Sequence, residues 1–171
     1  MRQRLVVLIS GAGSNLASLL ENLPATQIPA DVVAVGSDTS SAGLHHASDR
    51  GIPTFVVPWE EFSSREEWGV ALGDALASHE PDLIILSGFM KLLPPDLVSR
   101  FSPRILNTHP AYLPEFPGAH AVRDALASGA TETGASVIVV DEGVDTGQIR
   151  AQRRVPVGPG EDEATLHARI K

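Results

Sequence analysis

Cysteine is absent from all 171 residues of the chain. Its absence excludes disulfide bonds, thiolate catalysis and cysteine-ligated zinc, and it is compatible with a reducing compartment. No segment approaches the ~18 consecutive apolar residues that a membrane helix needs. The apolar run after the N-terminal arginines ends at Ile9, which is too short for the core of a signal peptide. We therefore expect a cytoplasmic protein that has no membrane partner.

An excess of basic residues is also lacking, because the net charge is -8. Non-specific nucleic-acid binders are usually basic, so we expect small-molecule partners and no nucleic acid. An acidic protein can still bind an anionic small molecule through local donors, such as a helix N-terminus or one arginine. Metal-ligand spacings are missing, and so is the G-x-S-x-G elbow of a serine nucleophile. Neither a metal site nor a serine hydrolase is predicted.

Short apolar runs alternate with helical patterns along the chain, and no internal repeat or linker interrupts them. The runs predict strands at residues 4–10, 31–37, 54–57, 82–88, 104–107, 134–143 and 147–157. Such alternation is typical of an α/β, Rossmann-like fold with a mainly parallel twisted sheet of about seven strands and helices on both faces. The length suits a single domain over residues 1–171. The last residue falls inside a predicted helix, so we expect the natural C-terminal end to lie further on.

A glycine-rich loop, Ser10-Gly11-Ala12-Gly13-Ser14-Asn15, follows the first strand and opens a helix. Backbone N–H groups and the helix dipole at such a turn favour phosphate. The loop is not a Walker motif, and Leu16 stands where a dinucleotide fingerprint has its third glycine. Asp38, after the second strand, is a candidate partner for a ribose hydroxyl. A tight turn without a ligand explains the loop about as well, although Ser14 and Asn15 favour phosphate.

A proline-rich loop follows the fifth strand, in the stretch "ILNTHPAYLPEFPGAH". Asn107 and His109 are two residues apart, so an extended chain would point both to one side. Their N–H groups could then form an oxyanion hole, held by the stiff loop. A carboxylate is needed to orient the histidine, and Asp141, Glu142 and Asp145 of "VDEGVDTG" are candidates. Solvent exposure is the commoner fate of such an acidic turn. The adjacent His45 and His46 are expected on a solvated helix face.

With these loops in view, the chain resembles the phosphoribosylglycinamide formyltransferases, folate-dependent enzymes of purine synthesis. The likeness covers almost the whole sequence and rests on the segments "VVLISGAGSNL", "SREEW", "PDLIILSGFMKLL", "LNTHPAYLPEFPGAH", "DEGVDTG" and "EDEATLHARIK". The Asn-x-His with a downstream aspartate is shared with the wider formyltransferase superfamily. The "GSN" loop and the short length favour this family over the transfer-RNA formyltransferases, which carry an extra domain.

The resemblance implies a role for each matching position. Asn107, His109 and Asp145 match the catalytic trio, and Gly13, Ser14 and Asn15 match the loop that binds the substrate phosphate. The positions that match the folate site are Arg65, Met90, Lys91, Leu92, Leu93 and Asn107. Ser136 and His120 match positions near the trio.

The implied reaction moves a formyl group from 10-formyltetrahydrofolate, a co-substrate, to the amine of glycinamide ribonucleotide, without a metal. Two alternatives stay open: a superfamily member with another amine acceptor or a formyl-folate hydrolase activity, and a non-catalytic nucleotide-binding protein. A monomer and a homodimer are both compatible with the sequence.

Four positions depart from the family pattern. Ile138 stands where many members have His, Gln148 where many have Pro, Lys91 where Arg is usual, and Glu115 where Lys or Ser is common. The trio is untouched, so we expect weaker proton relay or a looser loop, and not a loss of function.

Overall fold

The computed structural model describes residues 1–171 and has an α/β architecture. Seven strands form one sheet in the order β3-β2-β1-β4-β5-β6-β7. The strands are β1 Gln3–Ile9, β2 Ala30–Ser37, β3 Thr54–Val56, β4 Leu83–Leu86, β5 Ile105–His109, β6 Glu132–Val139 and β7 Ile149–Pro156. The helices are α1 Ser14–Asn22, α2 His45–Ser48, α3 Arg65–Ser78, α4 Pro95–Phe101, α5 Ala121–Ala127 and α6 Glu163–Ile170. The predicted fold class is confirmed.

The chain divides into two compact units, residues 1–106 and 107–171. In the first unit, β1 pairs in parallel with both β2 and β4, and β2 pairs in parallel with β3. The first strand is an apolar run buried on both faces, as expected for a strand inside a parallel sheet. Its residues Val7 and Ile9 pack with Leu16 and Leu20 of α1. This packing fixes where α1 begins relative to the end of β1.

Helix α3 of the first unit has a capped start and one buried face. Ser64 is its N-cap, and the serine hydroxyl accepts a hydrogen bond from the backbone N–H of Glu67 at 3.1 Å. The Glu67 carboxylate in turn accepts a hydrogen bond from the backbone N–H of Ser63 at 3.2 Å. Trp68, Leu72 and Leu76 recur at helical spacing and are buried. A capped helix with one buried face gives Arg65, in its first turn, a fixed position.

The second unit contains an antiparallel pair, β6 and β7, in which Ser136 lies opposite Gln152. Val122 of α5 packs with Leu166 and Ile170 of α6 in a small apolar core. Asp162 caps α6 by accepting a hydrogen bond from the backbone N–H of Thr165 at 2.8 Å. None of the helices in the chain combines the length and the hydropathy needed to cross a bilayer.

Strand β5 ends later than the sequence predicts. The prediction stopped at Asn107, whereas the strand continues through Thr108 to His109. The apolar run that marks the strand ends at Leu106, and nothing in the three polar residues after it signals an extended chain. Asn107 and His109 therefore lie on one strand, two residues apart.

Candidate active site

One position of the glycine-rich loop, residue 13, accommodates only glycine well. Gly13 is the N-cap of α1 with φ 67°, in the left-handed region. A Cβ at this position would lie 3.0 Å from Gly43 Cα, so both the conformation and the space favour glycine. No side chain caps this helix. The first-turn amides, including those of Ser14 and Asn15, therefore meet no capping side chain at the positive end of the helix dipole.

The same loop packs against α2 and the segment before it. The Gly43 N–H donates to the Gly11 carbonyl at 3.2 Å, and His46 Nε2 lies 3.0 Å from the Ala12 carbonyl oxygen. The expectation of a solvated face is right for His45, which is exposed, and wrong for His46, which is half-buried. No sequence signal could have shown this, because the contact joins residues 34 positions apart.

The loop between β4 and α4 is joined to the glycine-rich loop through Ser10. The Ser10 hydroxyl donates to Asp38 Oδ1 at 2.6 Å and accepts from the backbone N–H of Met90 at 2.8 Å. Asp38 is buried, and Lys91 Nζ lies 4.0 Å from its other oxygen and 5.5 Å from the centre of the Trp59 ring. The Asp38 carboxylate is thus engaged inside the protein, which does not favour the ribose contact considered from the sequence.

Arg65 holds the backbone of the loop between β4 and α4. Its guanidinium donates to the carbonyl oxygen of Leu92 at 3.0 Å and also to the carbonyl oxygen of Leu93. Leu93 is buried, whereas Met90 and Leu92 are exposed by 68% and 49%. Two exposed apolar side chains beside a fixed backbone offer a surface to a flat, partly apolar ligand. The structure brings the predicted folate residues 65 and 90–93 together within the first unit.

The predicted trio comes together in the second unit on one carboxylate. Asp145 Oδ1 accepts a hydrogen bond from Asn107 Nδ2 at 3.3 Å, and Asp145 Oδ2 lies 3.4 Å from His109 Nδ1. The second oxygen also accepts from the backbone N–H of Gly118 at 2.8 Å. The side chains of His109 and Asp145 are only 5% and 9% exposed. Screening by water is therefore weak where a protonated His109 would meet this carboxylate.

Both ring nitrogens of His109 face acceptors. Nδ1 faces Asp145, and Nε2 lies 2.8 Å from the carbonyl oxygen of Phe116. A backbone carbonyl can only accept, so Nε2 carries a proton in this contact. Only the doubly protonated imidazole can donate to both partners at once. The sequence did not reveal the role of Phe116, which is a backbone contact formed at a positive φ of 52°.

The acidic turn distinguishes its carboxylates. Asp141 accepts hydrogen bonds from the Thr146 hydroxyl at 2.8 Å and from the Gly143 N–H at 3.0 Å, and this closes the turn. Glu142 is exposed. Asp145 is the candidate that faces His109, with φ 54°. Two residues later, a Cβ on Gly147 would lie 1.7 Å from the Val139 carbonyl oxygen, so the turn needs glycine there.

The two positions expected near the trio have different environments. Ser136 is buried on β6, and its hydroxyl contacts the backbone of the proline-rich loop at Ala111 and Leu113. His120 lies exposed before α5, and no hydrogen bond or ion pair joins it to the trio. Ser136 is therefore bonded to the loop that follows His109, whereas the side chain of His120, at the end of that loop, is not bonded to the trio.

The departures from the family pattern also have visible surroundings. Ile138 is buried in β6, and the Gln148 carbonyl accepts the Val139 N–H at 2.9 Å. Glu115 lies 3.7 Å from Arg154, whose guanidinium stacks on the Tyr112 ring at 3.9 Å. These contacts join the proline-rich loop to β7, which does not support the expectation that Glu115 loosens the loop. Nowhere in residues 1–171 do three or more His, Asp or Glu side chains form a group that could hold a metal ion.

Comparison with known proteins points to one family. A family model described as "Formyl transferase" matches residues 3–171. The chain is 53% identical over 168 residues to phosphoribosylglycinamide formyltransferase of Mycobacterium tuberculosis, covering 98% of this chain and 78% of that protein. It is 39% identical to the Escherichia coli K12 enzyme of the same name, covering 98% and 79%.

A solved structure gives the same result at the level of the fold. The crystal structure of glycinamide ribonucleotide transformylase 1 from Symbiobacterium toebii matches with a TM-score of 0.94 and 38% identity, covering 99% of this chain and 80% of that one. The matched residues include both units and all of the motifs described above. The chain belongs to the formyl transferase family.

Proposed function

We propose that this protein transfers a formyl group from 10-formyltetrahydrofolate to the amine of N1-(5-phospho-D-ribosyl)glycinamide, a step of de novo purine synthesis. The observation that carries the chemistry is the trio on Asp145, with Asn107 at 3.3 Å and His109 at 3.4 Å. The chemistry resides in the second unit, and the first unit supplies candidate sites for phosphate and folate.

The substrate amine attacks the formyl carbon directly. A C–N bond forms, the carbonyl oxygen becomes an oxyanion, and the bond to the folate nitrogen then breaks. The amine loses a proton and the departing folate nitrogen gains one, so atoms and charge balance. Asn107 and protonated His109 stabilise the oxyanion, and His109 assists proton transfer to the folate nitrogen. No covalent enzyme intermediate and no metal are required.

The donors need one adjustment to act in this way. The Asn107 amide has a second hydrogen besides the one directed at Asp145. His109 can donate to the oxyanion when either Asp145 or the Phe116 carbonyl releases a ring nitrogen. We propose that the Phe116 carbonyl orients the His109 ring before the reaction and then yields Nε2 to the oxyanion, because a neutral carbonyl holds an imidazolium less strongly than a carboxylate does.

Substrate binding is assigned to the first unit. The amides and side chains of Gly13, Ser14 and Asn15 hold the phosphate at the uncapped start of α1. The exposed Met90 and Leu92 contact the folate ring system, and Arg65 fixes the backbone beside them.

The formyl folate is consumed as a co-substrate and is not a resident cofactor. We infer a cytoplasmic enzyme, since both proposed substrates are metabolites of purine and folate metabolism, and the lack of cysteine is compatible with a reducing compartment. A monomer and a homodimer both satisfy this proposal, since each catalytic residue lies on the same chain.

A folate absorbance assay tests the proposal with purified protein, 10-formyl donor and glycinamide ribonucleotide. Turnover that requires both substrates is the expected result. Consumption of the donor without the amine would identify a formyl-folate hydrolase. Binding of the ribonucleotide, seen by calorimetry without any turnover, would identify a non-catalytic nucleotide-binding protein.

A further inference from the structure

The backbone of Leu113, in the proline-rich loop, is held by side chains that bond to both its N–H and its carbonyl group. Its N–H donates to the Ser136 hydroxyl at 3.0 Å, and its carbonyl accepts from Gln152 Nε2 at 2.7 Å. Leu113 itself is buried. A loop backbone that lacks strand partners thus obtains both hydrogen bonds from β6 and β7.

These hydrogen bonds form a closed network. The Ser136 hydroxyl donates to the Ala111 carbonyl at 2.7 Å and accepts from Leu113 N–H and Gln152 Nε2, the latter at 3.0 Å. A hydroxyl has one donor and two acceptor positions, so all three are used. Both hydrogens of the Gln152 amide are used as well, on the Leu113 carbonyl and on Ser136. Ser136 and Gln152 face each other directly across β6 and β7.

Leu113 lies only three residues before Phe116, whose carbonyl contacts His109. Just before Phe116 the chain makes a turn over residues 112–115, closed by the Glu115 N–H donating to the Tyr112 carbonyl at 3.0 Å. Pro114 restricts the backbone inside that turn. The Phe116 carbonyl then reaches His109 Nε2 at 2.8 Å. A displacement of Leu113 would therefore be passed to the His109 ring with little loss.

We propose that Gln152 is a positioning residue for His109, acting through Leu113 and the Phe116 carbonyl. Gln152 is half-buried on β7 and touches no member of the trio, so it acts on the loop and not on the reacting atoms. Its effect on rate rests on the proposed function, whereas its effect on the His109 ring does not. Removing its amide would leave the Leu113 carbonyl without this donor, and the turn would lose its fixed distance to the ring.

The test uses Gln152→Met, which keeps the length of the side chain but removes the amide. Gln148→Met is the matched control, because Gln148 is an exposed glutamine just before β7. For Gln152→Met we expect kcat to fall about 10- to 100-fold, the range in which a displacement of roughly 1 Å acts. The KM values of both substrates should stay within about threefold of wild type. In a His109→Ala background the same change should cause no further loss, because the two residues act as a unit.

A second measurement needs no activity. The 15N signals of the His109 ring, assigned by comparison with His109→Ala, should shift in Gln152→Met and stay in place in Gln148→Met. If Gln152→Met does not fold, Gln152→Glu takes its place. Its carboxyl can donate to Leu113 only when protonated, so its kcat deficit relative to wild type should shrink as the pH falls.

Three results would overturn the inference. These are a kcat within twofold of wild type, a His109 ring signal that does not move, and an equal loss of kcat in the presence and absence of the His109 side chain. Absence of turnover in the wild type would contradict the proposed function instead. In that case the ring signals would still decide whether Gln152 positions His109.

Discussion

At the scale of single residues, Asp145 combines burial, contacts to three other residues and a positive φ. Its two oxygens meet donors or a ring nitrogen from Asn107, His109 and Gly118, and its side chain is almost fully buried. It adopts a positive φ, which is uncommon for a residue other than glycine. Strain at such a position persists when the surroundings hold the residue in place, and it is frequent at active sites.

Asp145→Asn should lower kcat by on the order of 10²-fold or more, the loss typical of removing an acid–base group or oxyanion donor. The amide keeps the shape of the side chain, but its NH2 group must face either Asn107 or His109, which are themselves donors. KM for both substrates should change much less, since neither substrate is assigned to this carboxylate. Steady-state kinetics with both substrates varied measure the split between kcat and KM.

Asp141→Asn is the matched control, because Asp141 closes the same turn and does not face His109. We expect it to lower thermal stability slightly and to leave kcat near the wild-type value. Near-normal turnover in Asp145→Asn would reduce Asp145 to an ordinary turn residue. An equal loss of kcat in both variants would assign the effect to the turn as a whole.

Asn15→Ala tests the phosphate site more directly than a change at Gly13 would. Any side chain at Gly13 is strained by the positive φ and crowded by Gly43, so lost binding there would not be specific to phosphate. Asn15 lies in the first turn of α1, and Asn22 at the other end of the helix supplies a matched Asn→Ala control. We expect KM for the ribonucleotide to rise about tenfold in Asn15→Ala only, the worth of one hydrogen bond to a charged group.

Calorimetry of the two variants separates the ligands. Affinity for the formyl folate should be unchanged in both proteins. Equal loss of ribonucleotide and folate binding in Asn15→Ala would indicate damage to the unit and remove support for the phosphate assignment.

At the scale of elements, the strands and helices that carry an apolar pattern could be predicted, and those defined by polar contacts could not. The stripe of α3 and the buried run of β1 are visible in the sequence because burial requires apolar residues at the periods of a helix and a strand. The polar end of β5 and the packing of His46 on the glycine-rich loop depend on partners distant in sequence. Periodicity carries no information about such partners.

The last helix, α6, gives a pH-dependent stability that can be measured. Burial, together with the nearby Lys171, lowers the pKa of His167 from its ordinary value of 6.5, against an opposing effect of Glu163. The unfolded chain therefore binds more protons than the folded one between the two pKa values. The contribution to stability is fully present above pH 6.5 and is lost as the pH falls through that window. His167→Gln should make the decline in unfolding free energy between pH 7 and pH 5 shallower.

A second change on the same helix acts in a different window. Hydrogen bonds from the Thr165 backbone and side chain lower the pKa of Asp162 below its ordinary 3.8. The stability it contributes is present above that value and is lost at more acidic pH. Asp162→Asn should therefore leave the decline between pH 7 and pH 5 unchanged, and denaturant unfolding across pH measures both variants. An unchanged decline in His167→Gln would show that this histidine does not report on folding.

At the scale of the whole molecule, the candidate site was predictable where residues recur in a known order, and not where backbone atoms supply the contacts. Asn107, His109 and Asp145 were found from motif and resemblance, and their geometry brings them together. The Phe116 carbonyl and the Gln152 amide were missed, because the first is a backbone atom and the second lies in a strand of exposed residues. A sequence shows which side chains are present, whereas the geometry of the loop around His109 also depends on backbone groups and on contacts between residues far apart in sequence.

The net charge of -8 leads to a prediction about salt. Both proposed substrates are anions, so the overall field of the protein opposes their approach. The Debye length falls from about 30 Å at 0.01 M to about 10 Å at 0.1 M ionic strength, which screens this repulsion between distant charges. The phosphate site proposed at α1 uses backbone amides and the neutral side chains of Ser14 and Asn15, whose short-range contacts are screened less. We therefore expect kcat/KM for the ribonucleotide to stay constant or rise over this range.

Parallel titrations with chloride and acetate salts control for an anion that competes at the phosphate site, since screening depends on ionic strength alone. A tenfold fall in kcat/KM with both salts would show that the substrate is drawn in by positive charge, and the arginines and lysines of the first unit would then need to be tested as phosphate ligands.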